Sequence, residues 1–219
     1  MSGRILACGG GGDFAALLLE LSGSPRPRVC YLPTAAADDS ALVVGFYERF
    51  VPLACDPFHV PLFGIPERPA ERVASADVVL VSGGNTANML AVWRVHGIDV
   101  ALRETWERGA VLAGASAGAN CWFEASVTDS FGPQLAGLED GLGLLSGSFC
   151  PHYDGEELRR PVYTRLVSEG RLPPGIACDD DAAVLYEGTE LGEVLATEPG
   201  ASAYRVTPAG EEPLTARLV

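Results

Sequence analysis

Apolar residues fall along this chain in two alternating patterns. Short, continuously apolar runs occupy residues 4–8, 28–33, 58–63, 77–81 and 111–114. Such runs predict parallel strands buried on both faces, because polar alternation disappears when neither face meets water. Between them, apolar residues recur at helical spacing over residues 14–21, 40–50, a Glu- and Arg-rich stretch from 69, the segment with Met89, Leu90, Val92 and Trp93, and residues 98–108. Ser40 or a preceding aspartate predicts an N-cap, and Gly109 a C-terminal stop. The rhythm of strand, small-residue turn and helix predicts an α/β fold built on a doubly wound, mostly parallel sheet. An apparent strand at 144–149 is read into that sheet. From residue 182 the pattern changes to short strands at 183–186, 191–196 and 203–206, read as antiparallel additions at one edge. No linker, repeat or low-complexity tract interrupts the chain, so residues 1–219 read as one domain.

Composition narrows the classes of function. A length of 219 residues suffices for one sizeable core. Fifteen basic residues, all of them arginine, stand against 29 acidic ones, giving a formal charge of −14. A surface this acidic repels phosphate backbones, so no nucleic-acid partner is expected. The absence of lysine rules out Schiff-base chemistry and a P-loop lysine. The six cysteines form no C-x-x-C pair and several sit in apolar runs. They read as reduced, buried small hydrophobes. The N-terminal apolar run is too short for a secretory signal, and no run reaches the ~18 apolar residues of a membrane span. The expectation is a cytoplasmic protein.

Candidate chemistry gathers where the 111–114 strand ends. Gly114-Ala115-Ser116-Ala117-Gly118 is a G-x-S-x-G pentapeptide, the pattern in which a strand turns sharply into a helix with serine at the tip. The strained serine needs nearly side-chain-free neighbours, and the helix amides beside its hydroxyl favour negative charge. Such turns also serve as plain strand–helix connections, so the serine needs partners to carry meaning. Its hydroxyl requires a base, most often histidine. His59 lies in an apolar run and His96 near a helix end, whereas His152 follows the 144–149 strand and is expected at the same carboxyl edge as Ser116. A carboxylate should orient the imidazole. Between Ser116 and His152 the candidates are Glu124, Asp129, Glu139 and Asp140, and Asp129 gives the chain order Ser, Asp, His. The Ala117 amide is one oxyanion donor, and the Gly83-Gly84 turn after the 77–81 strand offers another. The turn Gly9-Gly10-Gly11-Gly12 is similar to a dinucleotide fingerprint, but no glycine at 14 or 15 completes it. It marks instead a close approach of backbone near the carboxyl edge of the sheet.

Three motifs, Ser82-Gly83-Gly84-Asn85-Thr86, Gly114-Ala115-Ser116-Ala117-Gly118-Ala119-Asn120 and Pro151-His152-Tyr153, resemble in order and spacing the peptidase E (aspartyl dipeptidase) and cyanophycinase family of serine peptidases. The resemblance spans nearly the whole chain. It implies a flavodoxin-like sheet related to class I glutamine amidotransferases, with serine replacing their cysteine. It also implies hydrolysis of short peptides through an acyl-enzyme, with no metal and no cofactor. Carried over by motif, Ser116 is the nucleophile, His152 the base, and the Gly84 and Ala117 amides the oxyanion hole, with Gly83, Asn85 and Thr86 beside the substrate. The implied acid is Asp129, with Glu124 in reserve. The family's aspartyl dipeptidases recognise an N-terminal aspartate through an arginine on the helix after the catalytic histidine, and Arg159 is the candidate here. It follows His152 by only seven residues, and Arg159 and Arg160 can equally pair with Glu156 or Glu157. The expected preference for N-terminal aspartate is therefore weak or absent. An esterase or isopeptide hydrolase with the same triad stays open, as do a non-enzymatic flavodoxin-like ligand-binding module and a homodimer.

Overall fold

A computed structural model describes residues 3–219; the reading of the extreme N-terminus as no secretory signal starts on residues 1–2, outside the described residues. The first half of the chain supplies β1 (Arg4–Cys8), α1 (Ala15–Ser22), β2 (Arg28–Leu32), α2 (Ser40–Phe50), β3 (Asp56–His59), α3 (Pro69–Ala74), β4 (Val78–Val81), α4 (Thr86–His96), α5 (Ile98–Glu107) and β5 (Val111–Ala115). Its five strands run parallel in the order β3-β2-β4-β5-β1. Successive strand residues project to opposite faces, and the two resulting cores divide the helices between them. Leu6, Val29, Tyr31, Val78 and Val111 pack with Leu18 of α1 and Phe46 and Phe50 of α2. Ile5, Cys30, Leu32, Val79 and Leu112 pack on the other side with Met89, Leu90 and Trp93 of α4 and Ile98 and Leu102 of α5. That division is the doubly wound arrangement the apolar runs predict. Asp39 caps α2 by accepting from the Ala41 amide, Asn85 caps α4 through Asn88, and Gly97 ends α4 at φ 67°.

The second half supplies α6 (Ala117–Asn120), β6 (Phe123–Thr128), β7 (Ala136–Leu138), β8 (Leu145–Cys150), α7 (Arg159–Ser168), β9 (Gly175–Cys178), β10 (Ala182–Glu187), β11 (Glu190–Ala196), β12 (Ala203–Thr207), β13 (Gly210–Leu214) and β14 (Ala216–Leu218). As expected, β10 pairs antiparallel with β1 and β11 antiparallel with β10 at that edge; β14, which the apolar pattern does not announce, pairs parallel with β11 and makes eight strands. The 144–149 strand does not join this sheet. It is β8, in a second sheet ordered β13-β12-β9-β8-β6-β7, and the strand expected at 203–206 on the main sheet's edge is β12, which pairs instead with β9 and β13 in this second sheet. The edge beside β1 is already occupied by β10. One face of the second sheet, with Phe123, Leu145, Phe149 and Ile176, completes the core shared with α4 and α5. Its other face, with Val127, Cys150 and Ala177, is covered by Tyr163, Leu166 and Val167 of α7. A strand buried on both faces reads the same in either sheet, so the apolar pattern could not assign it. The helix opened by the serine is a single turn, and β6 rather than helix leads on to Asp129. Among the described residues no helix is long and apolar enough to cross a membrane.

Candidate active site

The carboxyl ends of β1, β4 and β5 meet at one edge of the main sheet, where open α/β sheets place their ligands. Ser116, at the end of β5, sits at φ 55° and ψ −118°, a region that costs a non-glycine residue about 1–3 kcal/mol. The turn is over-determined by backbone packing. A Cβ on Gly114 would lie 2.3 Å from the Gly118 carbonyl oxygen, and one on Gly118 would lie 2.5 Å from that of Val81. The Ser116 amide donates to the Cys8 carbonyl at 3.2 Å, and the Ser116 carbonyl accepts from the Ala119 and Asn120 amides at 2.9 Å each. The serine is thereby pinned between the end of β1 and the first turn of α6.

At the end of β4, a Cβ on Gly83 would lie 3.4 Å from Ser116 Cβ and 3.9 Å from its Oγ. Gly84 takes φ 133°, and a side chain there would run into the Ala35 carbonyl oxygen at 2.2 Å. Among the described residues the Gly84 and Ala117 amides donate to no protein acceptor, which suits donors held ready for an oxyanion. Asn85 is occupied structurally: its Oδ1 accepts from the Asn88 amide at 2.8 Å and its Nδ2 donates to Ser130 O at 3.0 Å. Thr86 is fully buried and its hydroxyl lies 3.4 Å from Asn120 Nδ2. It ties α4 to α6.

His152 and its carboxylate come from the second sheet. Parallel strands deliver their following loops to the same edge, and Cys150 of β8 pairs with Ala177 of β9. Two residues beyond each strand, His152 Nδ1 meets Asp180 Oδ1 at 2.6 Å. An ionised carboxylate only accepts, so Nδ1 carries the proton and Nε2 is left to accept one from a hydroxyl. Asp180 is fixed by its own amide, which donates to Asp154 Oδ1 at 2.8 Å, and by a bridge to Gly10. Gly10 itself is the clearance for the pair: a Cβ there would lie 2.2 Å from Asp180 Oδ1 and 2.4 Å from His152 Cε1. Gly155 stands against Asp180 in the same way, with 2.2 Å from a Cβ to Oδ2. Gly10 lies two residues past Cys8, the acceptor for the Ser116 amide, so serine and histidine converge on the end of β1. Asp181 accepts from the Gly12 amide at 2.7 Å and locks the same turn from the other side. Asp179, only 2% exposed, has its carboxyl pushed up to about 6, by burial first and by the neighbouring Asp154 second.

Other expected residues are placed elsewhere. Among the described residues, no hydrogen bond or ion pair joins Asp129 to His152, and the carboxylate on the imidazole belongs to Asp180. Asp129 sits in the turn after β6, flanked by Thr128 and Ser130, whose hydroxyls bond each other at 2.7 Å. Glu124 is exposed and accepts from the Gly147 amide at 2.9 Å. Arg159 is 3% exposed, bonded to Glu156 at 2.7 Å and to the Val127 carbonyl at 3.2 Å. Arg160 pairs with Glu211 and lies over the rings of Tyr153 and Tyr204. Asp180 was missed because the acid was sought between Ser116 and His152. Its signal was the run Asp179-Asp180-Asp181 directly after the apolar residues 175–178. Among the described residues no group of three or more His, Cys, Asp or Glu side chains is placed to hold a metal ion.

Comparison with known proteins follows the same lines. The model of Peptidase family S51 matches residues 5–194. Over 218 residues the chain is 46% identical to the uncharacterized peptidase YgaJ of Bacillus subtilis (strain 168), covering 95% of this chain and 94% of that one. A solved peptidase from an acI-B1 Actinobacterium superposes with a TM-score of 0.74 at 20% identity, over 99% of this chain and 95% of the other. A candidate peptidase E protein from Listeria monocytogenes EGD-e superposes with a TM-score of 0.67 at 18% identity, over 90% of this chain and all of the other. At those identities the two structures speak for the fold.

Proposed function

This chain belongs to peptidase family S51 and is a serine peptidase, and we propose that it hydrolyses dipeptides or short peptides through an acyl-enzyme on Ser116. In this reading Ser116 Oγ attacks the scissile carbonyl while His152 Nε2 takes the hydroxyl proton. Asp180 holds the imidazole in the required tautomer and stabilises the imidazolium. The developing oxyanion is received by the Ala117 and Gly84 amides, which need not reorganise as charge forms. His152 then hands the proton to the leaving amine, and water repeats the sequence to release the acid. The observation that carries the proposal is the convergence on β1: Ser116 bonded to the Cys8 carbonyl, and the His152–Asp180 pair seated over Gly10. Because Arg159 is buried and paired, selectivity for N-terminal aspartate forms no part of the reading. Labelling with a serine-directed fluorophosphonate, followed by peptide mapping, tests it together with turnover of a dipeptide panel. Modification at Ser116 and loss of both labelling and turnover in Ser116→Ala are expected. Labelling elsewhere, or turnover within tenfold of wild type in that variant, would refute it.

A further inference from the structure

The face of the main sheet opposite α4 and α5 is incompletely covered. Only α1 and α2 pack there, and a cavity of about 210 Å³ remains between them. Part of its lining is the serine turn itself: Gly83, Gly114 and Ala115 border it. A Cβ on Gly83 would stand within 3.9 Å of Ser116 Oγ, so the cavity begins within one side chain's reach of the nucleophile. The walls are apolar, formed by Phe14, Ala15 and Leu18 on the α1 side and by Leu80 on the sheet. Leu80 and Ala115 are only half-buried although their strands are otherwise interior. Polar points are few. Tyr31 and Ser82, both hydroxyl-bearing, are among the lining residues.

Charge and size narrow what fits. Arg49, the one cation in the lining, is already ion-paired with Asp13, so a substrate carboxylate would have to compete with that partner. An apolar cavity of about 150 Å³ accepts a benzene ring, and this one is larger. We infer that the cavity between α1 and α2 is the specificity subsite of the peptidase, taking a large aromatic or branched aliphatic side chain from a residue flanking the scissile bond. The inference rests on the proposed Ser116 chemistry and adds to it a class of substrate.

The test is kcat/KM for X-Ala and Ala-X dipeptides, with X as Gly, Ala, Asp, Leu, Phe or Trp. Wild type is compared with Ala15→Leu, which fills the cavity from α1, and Leu18→Ala, which enlarges it. In wild type, Leu, Phe or Trp at one position should exceed Gly and Ala by roughly 10- to 100-fold, the usual yield of a filled apolar pocket. Ala15→Leu should erase that advantage while leaving the Gly and Ala substrates within threefold, and Leu18→Ala should move the optimum toward Trp. Competition against fluorophosphonate labelling of wild type needs no folded variant: phenylalaninol should protect Ser116 at concentrations where alaninol does not. Labelling and turnover with no apolar preference, a preference for Asp, or variants that slow every substrate equally would overturn the subsite alone. No labelling and no turnover would overturn the serine chemistry and the subsite with it.

Discussion

Replacing Gly10 by alanine tests the geometry of the proposed acid–base pair without removing any reacting group. The added methyl would fall 2.2 Å from Asp180 Oδ1, 2.4 Å from His152 Cε1 and 2.6 Å from His152 Nδ1. Non-bonded heavy atoms settle at about 3.5 Å, so the pair must retreat by about 1 Å. Asp180 has little room to yield, because Gly155 closes on its other oxygen and Asp154 holds its amide. The imidazole therefore takes most of the displacement. A misplacement of about 1 Å in a catalytic group costs roughly 100-fold in rate, or about 2.7 kcal/mol of barrier. Gly10 is not among the positive-φ residues, so alanine suits its backbone, and the overpacking of about 1–3 kcal/mol should lower Tm by no more than about 10 °C. Two assays read the effect: kcat/KM on the preferred dipeptide, and the second-order rate of fluorophosphonate labelling, which needs the same base. Both should fall about 100-fold together. Rates within threefold of wild type in a folded Gly10→Ala protein would show that His152 does not act from this position.

Three further outcomes follow from particular contacts. Asp180→Asn should lower kcat by about 10³- to 10⁴-fold, since an amide can fix the wrong tautomer of the imidazole, while Asp129→Asn should stay within threefold; the reverse ranking in steady-state kinetics would return the acid's role to Asp129. Arg159→Ala should leave the ratio of Asp-X to Ala-X turnover unchanged and lower stability by about 1 kcal/mol, because it leaves a half-exposed Glu156 unpaired and removes one of two side-chain donors to the Val127 carbonyl, Asn120 Nδ2 remaining as the other; collapse of an Asp-X preference in the same panel would make Arg159 the specificity residue. Asp179 is protonated in both folded and unfolded chains at low pH, and its carboxyl, raised from 3.8 to about 6 by burial, costs the fold stability as pH rises through that range. Asp179→Asn should accordingly melt a few degrees above wild type at pH 8 and equal it at pH 4, and a difference that does not change with pH would refute the assignment.

The parallel half of the fold and the serine turn were legible in the sequence for the same reason: both depend on local constraints. Short apolar runs between turn signals mark strands buried on two faces, as at β1, β4 and β5, although the run at 58–63 yields only the half-exposed edge strand β3, which ends at His59, and a serine forced to positive φ must be flanked by residues as small as Gly114 and Gly118. The acid was not legible, because its partner is chosen by the pairing of strands remote in sequence. His152 and Asp180 meet because β8 and β9 are neighbours in a sheet that no apolar pattern distinguishes from the first. Asp129 had the attractive chain order, and β6 runs parallel beside β8 as β9 does, but His152 Nδ1 is turned to Asp180 on the β9 side rather than to the turn after β6. The glycine turn at residues 9–12 was visible as a site of close approach, and what approaches is now specified. After β9 the chain leaves the second sheet and enters the main one at β10, and Asp179-Asp180-Asp181 is the crossing. Gly10 bridges to that crossing, and the Gly12 amide donates to Asp181. In the proposed mechanism the main sheet contributes the nucleophile and the oxyanion amides, the second sheet contributes the base and its carboxylate, and the seam between them is a backbone stripped of side chains. A side chain at Gly10 would push the two halves of the site apart while leaving each half intact, which is why that position, rather than any polar residue, most directly tests whether the two sheets form one active site.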